Sequence, residues 1–389
     1  MNDWKNWPHY DQDEIDAVQR VLASARVNYW NGDEGRRFET EFARYHGVPY
    51  AVAVANGSVA LDLALHALAI GSGDDVVVTP RSFVASVSTV VLAGARPVFA
   101  DVDRDSQNIT PDSVRAVMTP NTRAILAVHL AGWPCDLAGL RDLADDRGLQ
   151  LIEDCAQAHG SSWCGQPVGS FGDAAAFSFC TDKIMTTGGE GGMLLLREDG
   201  VWRRARSFKD HGKNWDAVCD GNNTSGFSWL HESFGTNWRL TEMQSAIGRV
   251  QLRKLNDWVE RRRANARILI ERMGGLPGLR IPVPPDTVGH AYYKFYAFVR
   301  QESLAPGWDR DAVIQALEAE GVPCMQGSCP EIYREKAFTD AGLSVDQRLP
   351  VARELGETSL MFPVHPTLDA NDMNRMADAV EAVMARATS

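Results

Sequence analysis

Between residues 49 and 196, short apolar runs alternate with stretches whose apolar positions recur every three or four residues. Residues 50–55, 76–78, 97–102, 124–129 and 149–152 are rich in Val, Ile, Leu and Ala, and predict strands. Behind Asn56-Gly57-Ser58, Leu61, Leu65 and Leu68 share one helical face, and 82–92 is a second helix. Strands separated by helices predict an α/β fold with a mostly parallel sheet covered on both faces. Such sheets take ligands at the carboxyl ends of their strands.

Either side of this block the period is helical. Ile15, Val18, Val21 and Leu22 mark a helix over 11–25 with Asp11 as cap, and 37–45 continues as another. Between them lies Asn28-Tyr29-Trp30-Asn31-Gly32, whose two aromatics either pack an N-terminal arm or line a substrate entrance. Downstream, Lys209-Asp210-His211-Gly212-Lys213 and the polar 220–227 stretch read as a long loop. A long helix then carries Met243, Ile247 and Val250 on one face and Leu252, Leu255 and Val259 on another. Its basic triplet Arg261-Arg262-Arg263 reads as a solvated face. The Gly- and Pro-rich 274–285 segment predicts a boundary between a large domain, 1–274, and a smaller C-terminal α+β domain, 275–389.

A chain of 389 residues with 44% hydrophobic and 23% charged positions has a globular composition, and its length suits two domains. The net charge of -12 argues against nucleic acid, whose phosphates require a basic face. Any anionic ligand must then be held locally. The seven cysteines lack paired C-x-x-C spacing and read as reduced thiols, with no metal site expected. No basic and apolar leader opens the sequence and no apolar run reaches membrane-spanning length, so a cytoplasmic location away from membranes is the expectation.

Two charges change the picture. Asp154 ends the strand 149–152 and its extension, and Lys183 follows 29 residues later, in a glycine-rich loop (181–192) between two apolar runs. A lysine able to form a Schiff base and a carboxylate able to keep a pyridine nitrogen protonated are the pair that pyridoxal 5'-phosphate requires. Gly57-Ser58 opens a helix, where backbone N–H groups attract phosphate without net positive charge. In isolation such a pair is more often a plain cap. Phe83 follows the end of the next strand, where it either stacks on a bound ring or packs in the core.

Five motifs occur in a familiar order: Asn56-Gly57-Ser58-x-Ala60-Leu61, Glu153-Asp154-x-Ala156-Gln157-x-His159-Gly160, Ser178-x4-Lys183, Glu190-Gly191-Gly192 and Gly235-x-Asn237-x-Arg239. Through them the chain resembles the DegT/StrS-type nucleotide-sugar aminotransferases, which are pyridoxal-phosphate enzymes of fold type I. The resemblance implies that Lys183 bonds covalently to the cofactor and that Asp154 partners the pyridine nitrogen. It puts Gln157 near the ring's phenolic oxygen, Phe83 on the ring face, and Gly57, Ser58 and Ser178 at the phosphate. Asn237 would reach the phosphate of a second subunit, which implies a homodimer with composite sites. Relatives with histidine in place of the lysine perform dehydrations, and Lys183 excludes that branch. Two glycines, Gly188-Gly189, precede Glu190 where the family usually has one.

The resemblance further implies transfer of an amino group from L-glutamate to a nucleotide-linked keto-sugar. A free cyclitol or an aminohydroxybenzoate-type ring is the alternative acceptor, and a non-catalytic cofactor-binding regulator is a third reading. Tyr29, Trp30, Trp133 and His159 are the candidate sugar or cofactor contacts, with a plain packing role as the alternative for Trp133.

Overall fold

The computed structural model describes residues 4–219 and 230–389, so the polar 220–227 stretch lies outside the described residues. Seven strands form the central sheet: β1 (Tyr50–Val54), β2 (Asp75–Val78), β3 (Arg96–Phe99), β4 (Thr122–Val128), β5 (Gln150–Asp154), β6 (Ala174–Ser178) and β7 (Gly192–Leu196). Their spatial order is β1-β7-β6-β5-β4-β2-β3. Every residue of β2, β6 and β7 is buried, which is why these strands read as continuous apolar runs rather than alternating ones.

The sheet is parallel except for β7, which runs antiparallel to both β1 and β6. The loop from β6 to β7 contains no helix. Without a crossover element the chain turns back beside the strand it has just left. That hairpin-like return holds Lys183 at the carboxyl end of β6.

Helices cover the sheet. They include α1 (Gln12–Ser24), α2 (Glu34–His46), α3 (Gly57–Ala67) and α4 (Ala85–Leu92). The longest, α5 (Glu242–Met273), is capped by Thr241, whose side chain accepts from the Gln244 N–H. Its first half packs Leu252, Leu255 and Val259 under the sheet, with Phe177 and Phe179 of the β6 region. Its last turns place Ala266, Leu269 and Met273 in a second core.

That second core belongs to the C-terminal part. There β8 (Leu279–Arg280), β9 (Phe295–Val299) and β10 (Ser359–Phe362) form an antiparallel sheet in the order β8-β9-β10. Against it pack α6 (Arg310–Ala319) and α7 (Ala370–Ala387). The glycine at 274 follows a helix that both cores share.

The basic triplet departs from the reading as a solvated face. Arg261 is exposed, but Arg262 is only 1% exposed. Successive helical residues turn by about 100°, and Arg262 falls on the stripe of Val259, Ala266 and Leu269 that faces inward. The N-terminal arm is also anchored. The Trp4 indole donates to the Gly321 carbonyl at 2.6 Å, and the Trp7 indole donates to the Lys183 carbonyl at 2.7 Å. Among the described residues, no helix is long and apolar enough to cross a membrane.

Candidate active site

Strand alternation sends the adjacent carboxylates of β5 to opposite faces. Glu153 accepts from the N–H groups of Gly169, Phe171 and Gly172 at 2.7 to 2.9 Å, and from His129 Nε2 at 3.1 Å. His129 Nδ1 accepts from the Cys135 N–H, so the ring proton sits on Nε2 and points at Glu153. Burial alone would push Glu153 up, but His129 and these N–H groups hold it below the usual glutamate range. Its work is to shape the 169–172 loop.

Asp154 has fewer partners. Its Oδ2 accepts from the Ser86 hydroxyl at 2.7 Å and its Oδ1 from the Ala156 N–H at 3.1 Å. Burial dominates and pushes its pKa up, against the opposing pull of Ser86, Ala156 and the positive charge of Lys183. A buried carboxylate held above its ordinary range is one that a cationic partner would stabilise. A protonated pyridine nitrogen is such a partner.

Lys183 stands in the loop between β6 and β7. Thr186 Oγ1 donates to the Phe179 carbonyl, Thr187 Oγ1 donates to the Glu190 carbonyl, and the Thr186 N–H donates to Gln251 Oε1. Gly188 and Gly189 have φ of 86° and 124°, values that side-chain-bearing residues resist. At Gly191 the constraint is space, because an added Cβ would lie 2.1 Å from Thr187 Oγ1. So supported, the Lys183 side chain is mostly buried, with Nζ 3.9 Å from Asp182 Oδ1 and 5.1 Å from the centroid of the Tyr293 ring.

The start of α3 meets the end of β6 at close quarters. An added Cβ on Gly57 would lie 2.5 Å from Ser178 Cβ, and one on Gly192 would lie 2.3 Å from the Asn56 carbonyl oxygen. The Asn56 side chain caps the Val59 N–H at 2.9 Å. Gly57 and Ser58 form the first turn, whose N–H groups have no intrahelical acceptor. Ser178 is brought against them. Such a cradle suits a phosphate.

The other expected cofactor residues lie as follows. Phe83 is 65% exposed, which excludes the core-packing alternative and leaves an open aromatic face. Gln157 is buried, and its Oε1 accepts from the Ala131 N–H at 2.8 Å, which fixes the amide and turns its NH2 elsewhere. Asn237 is exposed, with its backbone paired to Asp210, and nearby Phe234 is 98% exposed.

The four candidate substrate contacts are not gathered at Lys183. Tyr29 is 2% exposed, and its hydroxyl donates to Glu39 and accepts from Arg206. Trp30 lies 4.2 Å from Lys213 Nζ, measured to the ring centroid. Among the described residues, no hydrogen bond or ring contact links either aromatic to Lys183 or Asp154. Trp133 is buried edge-on against His290, and its carbonyl accepts from Asn108. His159 is wholly buried beside Phe177 and Phe179, with no hydrogen-bond partner for either ring nitrogen among the described residues, and burial lowers its pKa to about 3. In this chain it is a packing residue beneath the site.

Three groups the sequence reading passed over also stand at the site: Ser86, Trp7 and Arg262. Ser86 carried no signal beyond its place in a helix. Arg262 carried one, because it continues the apolar stripe through Val259.

An amine, a proton-hungry buried acid, a phosphate cradle without room for a methyl group and an open aromatic face together fit pyridoxal phosphate. Comparison with known proteins agrees. Residues 8–381 match the model of the DegT/DnrJ/EryC1/StrS aminotransferase family. The chain is 36% identical over 374 residues to a UDP-N-acetyl-3-dehydro-alpha-D-glucosamine 3-aminotransferase of Acidithiobacillus ferrooxidans, covering 96% of this chain and 94% of that one. It is 36% identical over 402 residues to an L-glutamine:2-deoxy-scyllo-inosose aminotransferase of Streptomyces kanamyceticus, covering 98% and 93%. The solved aminotransferase of Psychrobacter cryohalolentis superposes with a TM-score of 0.97 at 50% identity, covering 99% of this chain and all of that one. The chain belongs to the DegT/DnrJ/EryC1/StrS aminotransferase family and is a pyridoxal-phosphate-dependent transaminase.

Proposed function

We propose that this enzyme moves an amino group from L-glutamate to a nucleotide-linked keto-sugar, with Lys183 and Asp154 as its catalytic residues. The observation that carries the assignment of residues is the pairing of Lys183 with a buried, underpartnered Asp154 at the carboxyl end of one sheet. The choice of acceptor rests on relatives such as the UDP-sugar aminotransferase.

Bound at this site, pyridoxal phosphate supplies an electron sink for the pair released when the donor's α-carbon loses its proton. Asp154 would keep the ring nitrogen protonated. The Lys183 amine would hold the cofactor and would move the proton at the donor's α-carbon. Holding that base in place replaces an encounter with a positioned transfer, worth up to roughly 7–11 kcal/mol in well-oriented cases. Gly57, Ser58 and Ser178 would hold the phosphate, Gln157 would serve the phenolic oxygen and Phe83 would cover the ring.

Asn237, exposed beside Phe234, is assigned to the phosphate of a partner subunit, making a homodimer with composite sites. The large domain spans 1–274 and the smaller one 275–389. Cys135, Cys155, Cys164, Cys180, Cys324 and Cys329 are free thiols, which suits a cytoplasmic enzyme.

A second acceptor class has its own support, since an inosose aminotransferase is equally similar. The two readings separate when the pyridoxamine form is mixed with nucleotide-linked keto-sugars and with unlinked keto-cyclitols. Return of the aldehyde spectrum with the nucleotide sugars alone supports the proposal. Return only with the cyclitols replaces it.

A further inference from the structure

Beside Lys183 lies a charge for which the chemistry above has no use. A cavity of about 310 Å³ opens between the N-terminal arm, α5 and the start of β9, with Trp7, Asp182, Arg262, Tyr293, Lys294 and His365 among its lining residues. Arg262 enters it from α5. Its Nη1 donates to the carbonyls of Tyr292 and Tyr293 at 3.4 and 3.2 Å, while Nε and Nη2 have no partner among the described residues. Those two nitrogens are the side-on edge of a guanidinium, the edge that grips a carboxylate with two parallel hydrogen bonds. Buried donors of this kind are seldom left unmatched.

Neighbouring charges leave the cavity positive. Lys294 is half-buried and has no hydrogen bond or ion pair among the described residues. Lys5, at the rim, is taken up by Asp369 and Asp372. His365 is engaged through Nδ1 with Thr367, and its burial leaves the ring neutral at physiological pH. The opposing acid is Asp182, which accepts from the Tyr293 hydroxyl and also faces Lys183. One carboxylate therefore answers Arg262, Lys294 and Lys183 together.

The cavity and the reactive amine share walls. Trp7 donates to the Lys183 carbonyl, and its ring lies 5.1 Å from the Arg262 guanidinium carbon, measured to the centroid. Tyr293 presents its ring to Lys183 and its carbonyl to Arg262. At about 310 Å³ the space lies at the small end of ligand cavities, which run from roughly 300 to 1,000 Å³, and so suits an amino acid better than a nucleotide sugar.

We propose that this cavity is the amino donor's carboxylate site, with the Arg262 Nε and Nη2 edge as its bidentate anchor, Lys294 as its second cation and Trp7 as its roof. The assignment rests on Lys183 being the amine at which the donor reacts. Arg262 and Lys294 thereby set donor specificity for an anionic α-amino acid.

The test uses holoenzyme and glutarate, a dicarboxylate with no amino group to transfer, followed by calorimetry and by tryptophan fluorescence. Arg262→Lys keeps the charge and removes the side-on edge, and Lys294→Gln removes the second cation without emptying the core. Each should weaken glutarate binding tenfold or more and raise the KM for L-glutamate by a similar factor, with kcat changed less. The loss should be confined to the donor half-reaction. Unchanged glutarate binding in Lys294→Gln and in a folded Arg262→Lys overturns the proposal, and if Arg262→Lys does not fold, Lys294→Gln alone decides. A loss falling instead on the acceptor half-reaction also overturns it. A borohydride-reduced cofactor found away from Lys183 in the wild type would refute the catalytic assignment, whereas glutarate binding judges the cavity separately.

Discussion

Ser86 and Asp154 are joined by a 2.7 Å hydrogen bond that ties α4 to the end of β5. Ser86 is the side-chain donor to a carboxylate that burial otherwise pushes towards its neutral form. A hydrogen bond to a charged group contributes about 1.5–3 kcal/mol, and one pKa unit is about 1.4 kcal/mol. Ser86→Ala should therefore move the acid limb of the kcat profile to higher pH by about one to two units. An unmoved limb would separate Asp154 from the titrating group.

The same raised pKa has a sign for stability. Asp154 binds its proton more tightly in the folded, cofactor-free chain than in the unfolded one. Its contribution is full below the ordinary value of 3.8 and is lost as pH rises through the raised one. Cofactor-free Asp154→Asn should thus match or exceed the wild type in Tm at pH 7, while turnover falls by about 10²–10³-fold. Thermal melts of the apo proteins and steady-state rates check both halves.

Lys183→Ala should abolish turnover and leave the fold intact, because among the described residues the side chain makes no hydrogen bond on which the loop depends. Circular dichroism reports the fold. Borohydride reduction followed by peptide mass measurement should show a pyridoxyl tag at 183 in the wild type and none in the variant.

Gly192→Ala tests the junction of α3 with β7. Its Cβ would stand 2.3 Å from a main-chain oxygen of Asn56, a contact no flexible side chain can relieve. Overpacking of this kind costs about 1–3 kcal/mol and displaces the first turn of α3. Weaker cofactor affinity together with a lower urea midpoint is the expected result.

Buried histidines set the acid limit. His46 and His159 are held neutral by burial, at about 4 and about 3. Their stabilising contribution is present above the unfolded value of 6.5 and is lost as pH falls below it towards the folded values. His159→Phe should flatten the decline in urea midpoint between pH 6.5 and 4 and raise stability at pH 5, since neither ring nitrogen has a hydrogen-bond partner among the described residues. An unchanged slope would mean that His159 is not buried neutral.

The sequence made visible those features that chemistry or period imposes. Apolar runs of strand length located five strands of the sheet close to their final bounds, and Lys183 with Asp154 stood out because few cofactors need that pair. The antiparallel course of β7 was not visible, since its residues are as apolar as those of a parallel strand, and only the helix-free loop before it distinguishes the two. Tyr29 and His159 carry polar atoms that suggest contact with a ligand. One proved to be held by Glu39 and Arg206, and the other lies sealed among phenylalanines, because tertiary partners far apart in the chain decide exposure. Arg262 was masked by its neighbours in a basic triplet. Its three- and four-residue spacing from Val259 and Ala266 was the usable sign.

The α5 helix has 32 residues and so runs about 48 Å as one rod embedded in both cores. A rod of that kind fastens the two cores together, because Ala266, Leu269 and Met273 at its end are packed into the second one. The segment from Trp4 to Trp7 is stitched across that rod's far end by its two indole hydrogen bonds and by the Lys5 ion pairs with Asp369 and Asp372.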